Sequence, residues 1–218
     1  MVAELVPKSE IAADVGTDHG YLSVWLLQSG RAARVLASDI HEGPLNRARQ
    51  TAAEFDLEAQ METYLCDGLQ FSGSEQAQTI IIAGMGGETM ISILSAAPWT
   101  KQGRTLILQP QSKRTELEQW LCENGYALKD AKLCRDTGKL YLALSVQGGE
   151  AGTYRDAESL LLRNRDPLLP DALTSEIQKL THAMRGMEQA ERDLTEACKW
   201  TQHRLELLRS YQKEVAAW

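Results

Sequence analysis

The segment Glu10-Ile11-Ala12-Ala13-Asp14-Val15-Gly16-Thr17-Asp18-His19-Gly20-Tyr21 constrains the fold more than any other part of the chain. Its apolar run Ile11–Val15 reads as a buried strand, the stretch to Gly20 as a turn, and the residues beyond as a helix. A strand that passes into a helix through a glycine-bearing turn is the opening unit of a parallel α/β sheet, and nucleotide-type ligands sit at the carboxyl edge of such sheets. The charge of this turn narrows the ligand. A dinucleotide fingerprint starting at Gly16 needs glycine at positions 18 and 21, where the chain has Asp18 and Tyr21. Asp18 would meet a pyrophosphate at a place where backbone N–H donors should dominate. The pattern Asp14-x-Gly16-x-Asp18-x-Gly20 instead suits a ligand with positive charge and no phosphate, such as S-adenosylmethionine. The same residues also read as an ordinary strand–helix turn whose acid caps the helix.

Strand and helix patterns alternate from there. Strands are expected over Ile11–Val15, Arg34–Asp39, Met61–Cys66, Thr79–Ala83 and Thr105–Gln109, the last stopped by Pro110. Helices are expected over Gly20–Ser29, over Leu45–Phe55 after Gly43-Pro44, over Glu88–Ala96, and from a Ser112 cap to Asn124-Gly125. Two more strands, Ala127–Cys134 and Leu140–Val146, flank the hairpin turn Asp136-Thr137-Gly138-Lys139. Five strand-then-helix units closed by an antiparallel hairpin predict a mostly parallel seven-stranded sheet with one antiparallel strand. That is the Rossmann-like α/β arrangement of class I methyltransferases and differs from a dinucleotide-binding sheet. Residues 1–150 form this domain.

Residues 151–218 change character, with helix periodicity and no strand signal. Leu173, Ile177, Leu180, Met184, Met187, Glu191, Leu194, Cys198, Thr201, Leu205, Leu208, Gln212 and Val215 step by four and three residues, and ten of these thirteen positions are apolar. Such a seam predicts a C-terminal α-helical coiled coil. Burying it takes either an antiparallel hairpin within one chain or a long helix that pairs two chains, hence a monomer or a coiled-coil-mediated dimer. The weak stretch from Glu191 to Thr201 marks the expected bend.

The formal charge is −7; residues 1–150 carry 13 Lys/Arg against 19 Asp/Glu, and residues 151–218 carry 10 against 11. A field of that sign repels phosphates, so any nucleic-acid contact must use a local patch. Lys8, Arg31, Arg47, Arg49, Lys113 and Arg114, with Lys179, Arg185 and Arg192, are the candidates, and they equally read as a solvated surface. Cys66, Cys122, Cys134 and Cys198 form no C-x-x-C pair, which fits reduced thiols and a cytoplasmic location. No apolar run approaches the roughly 20 residues of a membrane helix. The histidines form no ligand spacing with acids or cysteines, and no metal is expected.

Other candidate residues lie where strands end. Asp39, 25 positions after Asp14, reads as an acceptor for ribose hydroxyls or as an acid at a helix start. Asp67-Gly68 reads as a contact to an exocyclic amine or as a plain turn. Ala83-Gly84-Met85-Gly86-Gly87 lets a flat ligand approach the backbone. It lacks the acidic-Pro-Pro-aromatic motif of many enzymes that methylate base amino groups. That points to a nucleophile with a free lone pair, such as adenine N1, and to catalysis by alignment and electrostatics. Asp18 is the candidate acceptor for adenine N6–H, with His19 as orienter. Tyr21 reads as a stacking surface or a packing residue, and Gln109-Pro110-Gln111 as a base contact or a proline stop.

With Asp14-Val15-Gly16-Thr17-Asp18-His19-Gly20-Tyr21-Leu22, Ala83-Gly84-Met85-Gly86-Gly87 and Leu108-Gln109-Pro110-Gln111 in this order, the chain resembles the bacterial tRNA (adenine-22 N1)-methyltransferase family over essentially its full length. The resemblance implies S-adenosylmethionine as cofactor and tRNA as partner. It implies cofactor contacts at Asp14, Gly16, Asp18, His19, Asp39, Ile40, Asp67, Gly68, Ala83 and Gly84, with Asp18 the catalytic-site acid; His19 joins it as a catalytic candidate on the reading of the residues above. Substrate contacts are expected at Tyr21, Met85, Gly86, Gly87, Gln109, Pro110 and Gln111. Family members commonly have alanine and proline where this chain has Gly20 and Ser23. Two other readings fit the motifs: a small-molecule methyltransferase that dimerises through the coiled coil, and a non-catalytic cofactor-binding module.

Overall fold

The computed structural model describes residues 1–149, 155–188 and 195–218. Among these, seven strands form one sheet: β1 (Ser9–Val15), β2 (Ala32–Asp39), β3 (Met61–Leu65), β4 (Thr79–Gly86), β5 (Thr105–Ser112), β6 (Tyr126–Asp136) and β7 (Lys139–Gly148). Their order is β3-β2-β1-β4-β5-β7-β6, parallel from β3 to β5, with β7 antiparallel to β5. Direction of travel reverses between β1 and β4, which makes the carboxyl ends of those strands the ligand crevice of an open sheet. The central strands are covered on both faces. Ile80, Ile81 and Ile82 of β4 are each 0% exposed, and full burial of a side chain of that size contributes about 1.5–3 kcal/mol.

The helices are α1 (Val2–Leu5), α2 (Tyr21–Gln28), α3 (Glu42–Glu54), α4 (Gly87–Ala96) and α5 (Arg114–Glu123), then α6 (Ala157–Arg163), α7 (Leu169–Glu188) and α8 (Thr195–Val215). Leu26 and Leu27 of α2 and Ala48 and Ala52 of α3 join Val35, Ile81 and Ile107 of the sheet in one apolar cluster. Pro44 lies in the first turn of α3, where a missing N–H leaves no helical bond unmade. Thr137 and Gly138 both have positive φ, 46° and 81°, as a two-residue hairpin turn between right-twisted strands requires.

The structure departs from the sequence expectations at several points. Between β3 and β4 there is one turn of 3-10 helix, Ser74–Gln76, in place of a fifth α-helix. The intervening Gly, Ser and Gln residues offer no apolar stripe to hold one. Strand β5 runs through Pro110 to Ser112. Pairing with β7 ends at Leu108 and the ladder to β4 is bulged around Met85, so Pro110 interrupts no regular ladder by lacking an N–H. Lys113, in the left-handed conformation with φ 54°, precedes α5 in place of the expected Ser112 cap, and no side chain caps that helix. Helices α1 and α6 have no counterpart in the sequence reading.

Two compact units can be distinguished, one of residues 1–132 with 141–157, the other of residues 133–140 with 158–218. In the second, α7 and α8 pack against each other, and with only six residues between them they run antiparallel. Leu173, Thr201, Leu205, Leu208 and Val215 of the seam are buried, whereas Gln212 is exposed. Seam positions Glu191 and Leu194, and with them part of the expected bend, lie outside the described residues; Thr195 to Thr201 are already helical. Arg204 of α8 pairs with Glu158 of α6 at 2.6 Å, both nearly buried. The hairpin tip belongs with this unit: Leu133 N–H donates to Asp166 at 3.2 Å, and Arg135 pairs with Asp171.

Two glycines make opposite predictions. A Cβ at buried Gly87 would collide with the Lys113 carbonyl, so Gly87→Ala should destabilise by about 1–3 kcal/mol. Gly186 lies in α7 with open space around it, so Gly186→Ala should be neutral or stabilise by up to about 1 kcal/mol. Urea titration of both variants checks this.

Candidate active site at the carboxyl edge of the sheet

Asp14 is the last residue but one of β1, in register with Ala37 of β2 and Ile81 of β4. It is 3% exposed. Thr17 Oγ1 donates to its Oδ2 at 2.9 Å and Ser23 Oγ to the same oxygen at 2.6 Å. Burial pushes the Asp14 carboxyl up from its ordinary value; the Ser23 and Thr17 hydroxyls oppose this, and the Asp39 charge adds slightly to it. The carboxylate therefore closes the turn from inside, and Ser23 takes part in that closure.

Backbone bonds carry the closure across the sheet edge. Gly16 and Thr17 N–H groups both donate to the Ser38 carbonyl, at 2.8 and 3.1 Å. Ser38 Oγ donates to the Gly68 carbonyl at 2.8 Å, drawing in the turn after β3. Gly16 has φ 73°, and a side chain there would strike the Met85 methyl group, so the turn after β1 faces the carboxyl end of β4. Gly84, at φ 78°, donates its N–H to Gln109 Oε1 at 3.0 Å, joining β4 to β5.

The expected site residues divide by exposure. Asp18, His19, Tyr21, Ile40, Asp67, Gly84 and Gln111 are exposed at this edge, and Asp39, Ala83, Met85 and Gly86 are half-buried. Asp39 accepts the His41 N–H on Oδ1 at 2.9 Å. Gln109 and Pro110 are buried, and the Gln109 carboxamide is turned inward onto Gly84 instead of outward to a base. Gly87 is packed beneath Lys113 and Gly68 against Ile93. Cys66 is half-buried beside Asp67, and burial first, then that charge, pushes its thiol up.

Asp18 has φ 49°, a conformation uncommon for a residue with a Cβ. Arg47 Nη2 donates to its Oδ1 at 2.9 Å, and His19 Nε2 lies 3.8 Å from its Oδ2. The His19 ring stacks on Tyr21, with centroids 5.8 Å apart and planes at 16°. Thr51 Oγ1 donates to the His19 carbonyl at 2.8 Å. Thr51, Thr17, Ser23 and Ser38 are not among the expected site residues, and Arg47 is expected only as a candidate RNA contact. An Asp-x-x-Thr spacing at 14 and 17 is a local turn signal for one of them; for the others no local pattern exists, since their partners are 9 to 32 positions away.

Other candidate basic residues are held by neighbours as well. Arg31 donates to the Val6 carbonyl, Arg49 pairs with Glu42, Lys113 with Glu116 and Arg114 with Glu118. Arg192 lies outside the described residues. Among the described residues no group of three or more His, Cys, Asp or Glu is gathered that would hold a metal ion, and no helix is long and apolar enough to cross a membrane.

A methyltransferase domain family matches residues 1–144. Over 160 residues, 73% of this chain and 67% of the relative, the sequence is 32% identical to the tRNA (adenine(22)-N(1))-methyltransferase of Bacillus subtilis (strain 168). The chain belongs to the tRNA (adenine-22 N1)-methyltransferase family. Crystal structures of the family's fold superpose on it: the B. subtilis m1A22 tRNA methyltransferase with TM-score 0.83 at 27% identity, covering 97% of this chain and 95% of that one. A Streptococcus pneumoniae protein in complex with S-adenosyl-L-methionine gives 0.79 at 26% identity, covering 97% and 96%.

Such a cofactor fits the residues present in this family member. Asp14 is desolvated and driven toward its neutral form, Gly16 offers a cradle that a Cβ would fill, and Asp39 and Asp67 lie at adjacent strand ends. The raised Asp14 pKa also fixes a pH dependence. An acid whose folded pKa is raised contributes stability fully present below its unfolded pKa and lost as pH rises through the folded one. Asp14→Asn lacks that loss, so its melting temperature relative to the wild type should increase from about pH 4 to about pH 7. A difference that shrinks over this range would show that Asp14 is not strained by its burial.

Proposed function

We propose that the acidic turn of this enzyme carries out methyl transfer from S-adenosylmethionine to N1 of an adenine in tRNA, position 22 as in the B. subtilis relative. The observation that carries the residue assignment is Asp18 itself. It is an exposed carboxylate at the switch point of the sheet, held on one oxygen by Arg47 and flanked by a stacked His19–Tyr21 pair.

Asp14, Gly16, Asp18, His19, Asp39, Ile40, Asp67, Gly68, Ala83 and Gly84 hold the cofactor. Asp14 offers negative charge toward its cationic end, and Asp39 accepts from ribose hydroxyls with the oxygen not used by His41. Bound there, S-adenosylmethionine supplies a methyl carbon on a cationic sulfur; the N1 lone pair takes the carbon, the C–S electron pair stays on sulfur, and the positive charge passes to the adenine ring. N1 needs no base to free its lone pair, so the chain contributes placement and field. Asp18 accepts from N6–H and stabilises the charge that develops on the ring. Tyr21 offers a face for the base, and Met85 and Gln111 border the place it enters. Gly86, Gly87, Gln109 and Pro110 act from beneath by shaping the β4 and β5 turns. N1 lies on the Watson–Crick edge, so the adenine is presented out of its helix.

The buried seam residues support reading α7 and α8 as an antiparallel coiled coil within one chain, consistent with a monomer. Arg185 is an exposed basic residue on α7 open to an RNA contact, whereas Lys179 pairs with Glu176 at 3.7 Å. Four free cysteines and a tRNA substrate suit the cytoplasm.

Purified tRNA treated with enzyme and S-adenosylmethionine should give a reverse-transcription stop at the methylated adenine, and slow modification when that adenine is locked in a stable duplex. Asp18→Ala should lower kcat by about a hundredfold or more, while calorimetry shows S-adenosylhomocysteine still bound through Asp14 and Asp39. Wild-type turnover in Asp18→Ala would remove Asp18 from the mechanism.

A further inference from the structure

We infer that Arg47 of α3 is a positioning residue for methyl transfer, holding the Asp18 carboxylate so that one oxygen remains directed to the N6–H of the substrate adenine. The inference rests on the catalytic reading of Asp18 given above.

Asp18 follows a positive-φ glycine by two positions, has a positive φ itself and projects an exposed side chain. Its own turn leaves the carboxylate free to rotate. The constraint comes from α3. Three residues from adjacent turns of that helix, Arg47, Ala48 and Thr51, reach three consecutive residues of the turn. Arg47 bonds the Asp18 carboxylate at 2.9 Å, and Thr51 bonds the His19 carbonyl at 2.8 Å. Ala48 lies under Gly20, so close that a Cβ there would stand 2.9 Å from Ala48 Cα. The Thr51 and Ala48 contacts fix backbone. Arg47 alone reaches the functional group.

Its bond also decides which oxygen is left. Arg47 takes Oδ1, and the Oδ2 neighbour is His19 Nε2 at 3.8 Å, beyond a good hydrogen bond. Oδ2 is the acceptor available to an incoming amine. A guanidinium is planar and donates in fixed directions, so it sets the carboxylate's orientation as well as its distance, which an ammonium does less well. The pair is exposed on both sides, 44% and 63%, and an ion pair so placed adds little to stability. Its effect therefore belongs in turnover. The sequence alone offers Arg47 to a phosphate; in the structure its cation is already committed to the Asp18 carboxylate.

The test uses the full chain with tRNA and S-adenosylmethionine. Arg47→Ala should lower kcat about tenfold to a hundredfold, the scale of a small misplacement of a catalytic group, with KM for tRNA and for cofactor changed less than about twofold and the melting temperature unchanged. Arg47→Lys should recover part of the loss and Arg47→Gln less. In an Asp18→Asn background, assayed under single-turnover conditions, removing Arg47 should cost little more. A loss confined to KM for tRNA would make Arg47 a phosphate contact and overturn the inference, as would unchanged kcat. Normal turnover in Asp18→Ala is a separate result: it refutes the catalytic reading itself, whatever Arg47 does.

Discussion

Asp14 meets water hardly at all, and two hydroxyls, from Thr17 in the turn and Ser23 in α2, converge on one of its oxygens. A buried polar group that loses such partners costs about 1–3 kcal/mol, so the geometry between strand and helix is strongly held. From that point the order spreads outward. Gly16 and Thr17 are drawn onto the Ser38 carbonyl, Ser38 onto Gly68, and Gly16 faces Met85. The carboxyl ends of four strands thus derive their positions from one closed turn. The cost is electrostatic, because burial works against the charged form of the carboxylate that does the closing. In the cofactor placement proposed above, a cationic ligand beside it would relieve that penalty and tie the stability of the turn to the charge of the cofactor.

An acidic turn in a chain of charge −7 has to act on a polyanion. The two demands are compatible because they operate at different ranges. Exposed charges are screened over about 8 Å at physiological salt, so Asp18 repels distant phosphates weakly, whereas a base in hydrogen-bond contact feels its field in full. Methylation at N1 places positive charge on the ring, so a nearby carboxylate favours the reacting state over the neutral base that first binds. In the role proposed for Asp18, the sign that weakens general affinity for RNA is the sign that helps the chemistry.

The sheet was legible because its signals are local. Three consecutive isoleucines mark β4, Asn124-Gly125 marks the end of α5, and Thr137-Gly138 marks a hairpin turn, each readable within a few residues. Errors fell where tertiary context overrides a local rule. Pro110 ends a strand by propensity, yet β5 passes through it because the β7 ladder stops at Leu108 and the β4 ladder is bulged there. Ser112 is a favourable cap by type, but the strand claims it and Lys113 precedes the helix. Position at the edge was readable for Asp14, Asp39 and Asp67, since each follows an apolar run. Orientation was not: whether Gln109 faces a ligand or the backbone of Gly84 depends on a residue 25 positions away.

That difference between position and orientation also explains how the site is assembled. Strand ends supply positions, since pleating and register set where each last residue lies. A strand end cannot aim an exposed carboxylate, because the side chain has left the ladder and the turn that follows carries residues with positive φ. Aiming requires a second rigid element alongside, and α3, seated on the sheet through Leu45, Ala48 and Ala52, is the one whose face reaches Asp18, His19 and Gly20. The close approach at Gly20 brings that face near. A side chain there would force α3 outward or strain a backbone at φ 73°, and the Arg47 guanidinium would move with the helix. A glycine and an arginine separated by 27 positions thereby serve one requirement, the direction of a single carboxylate.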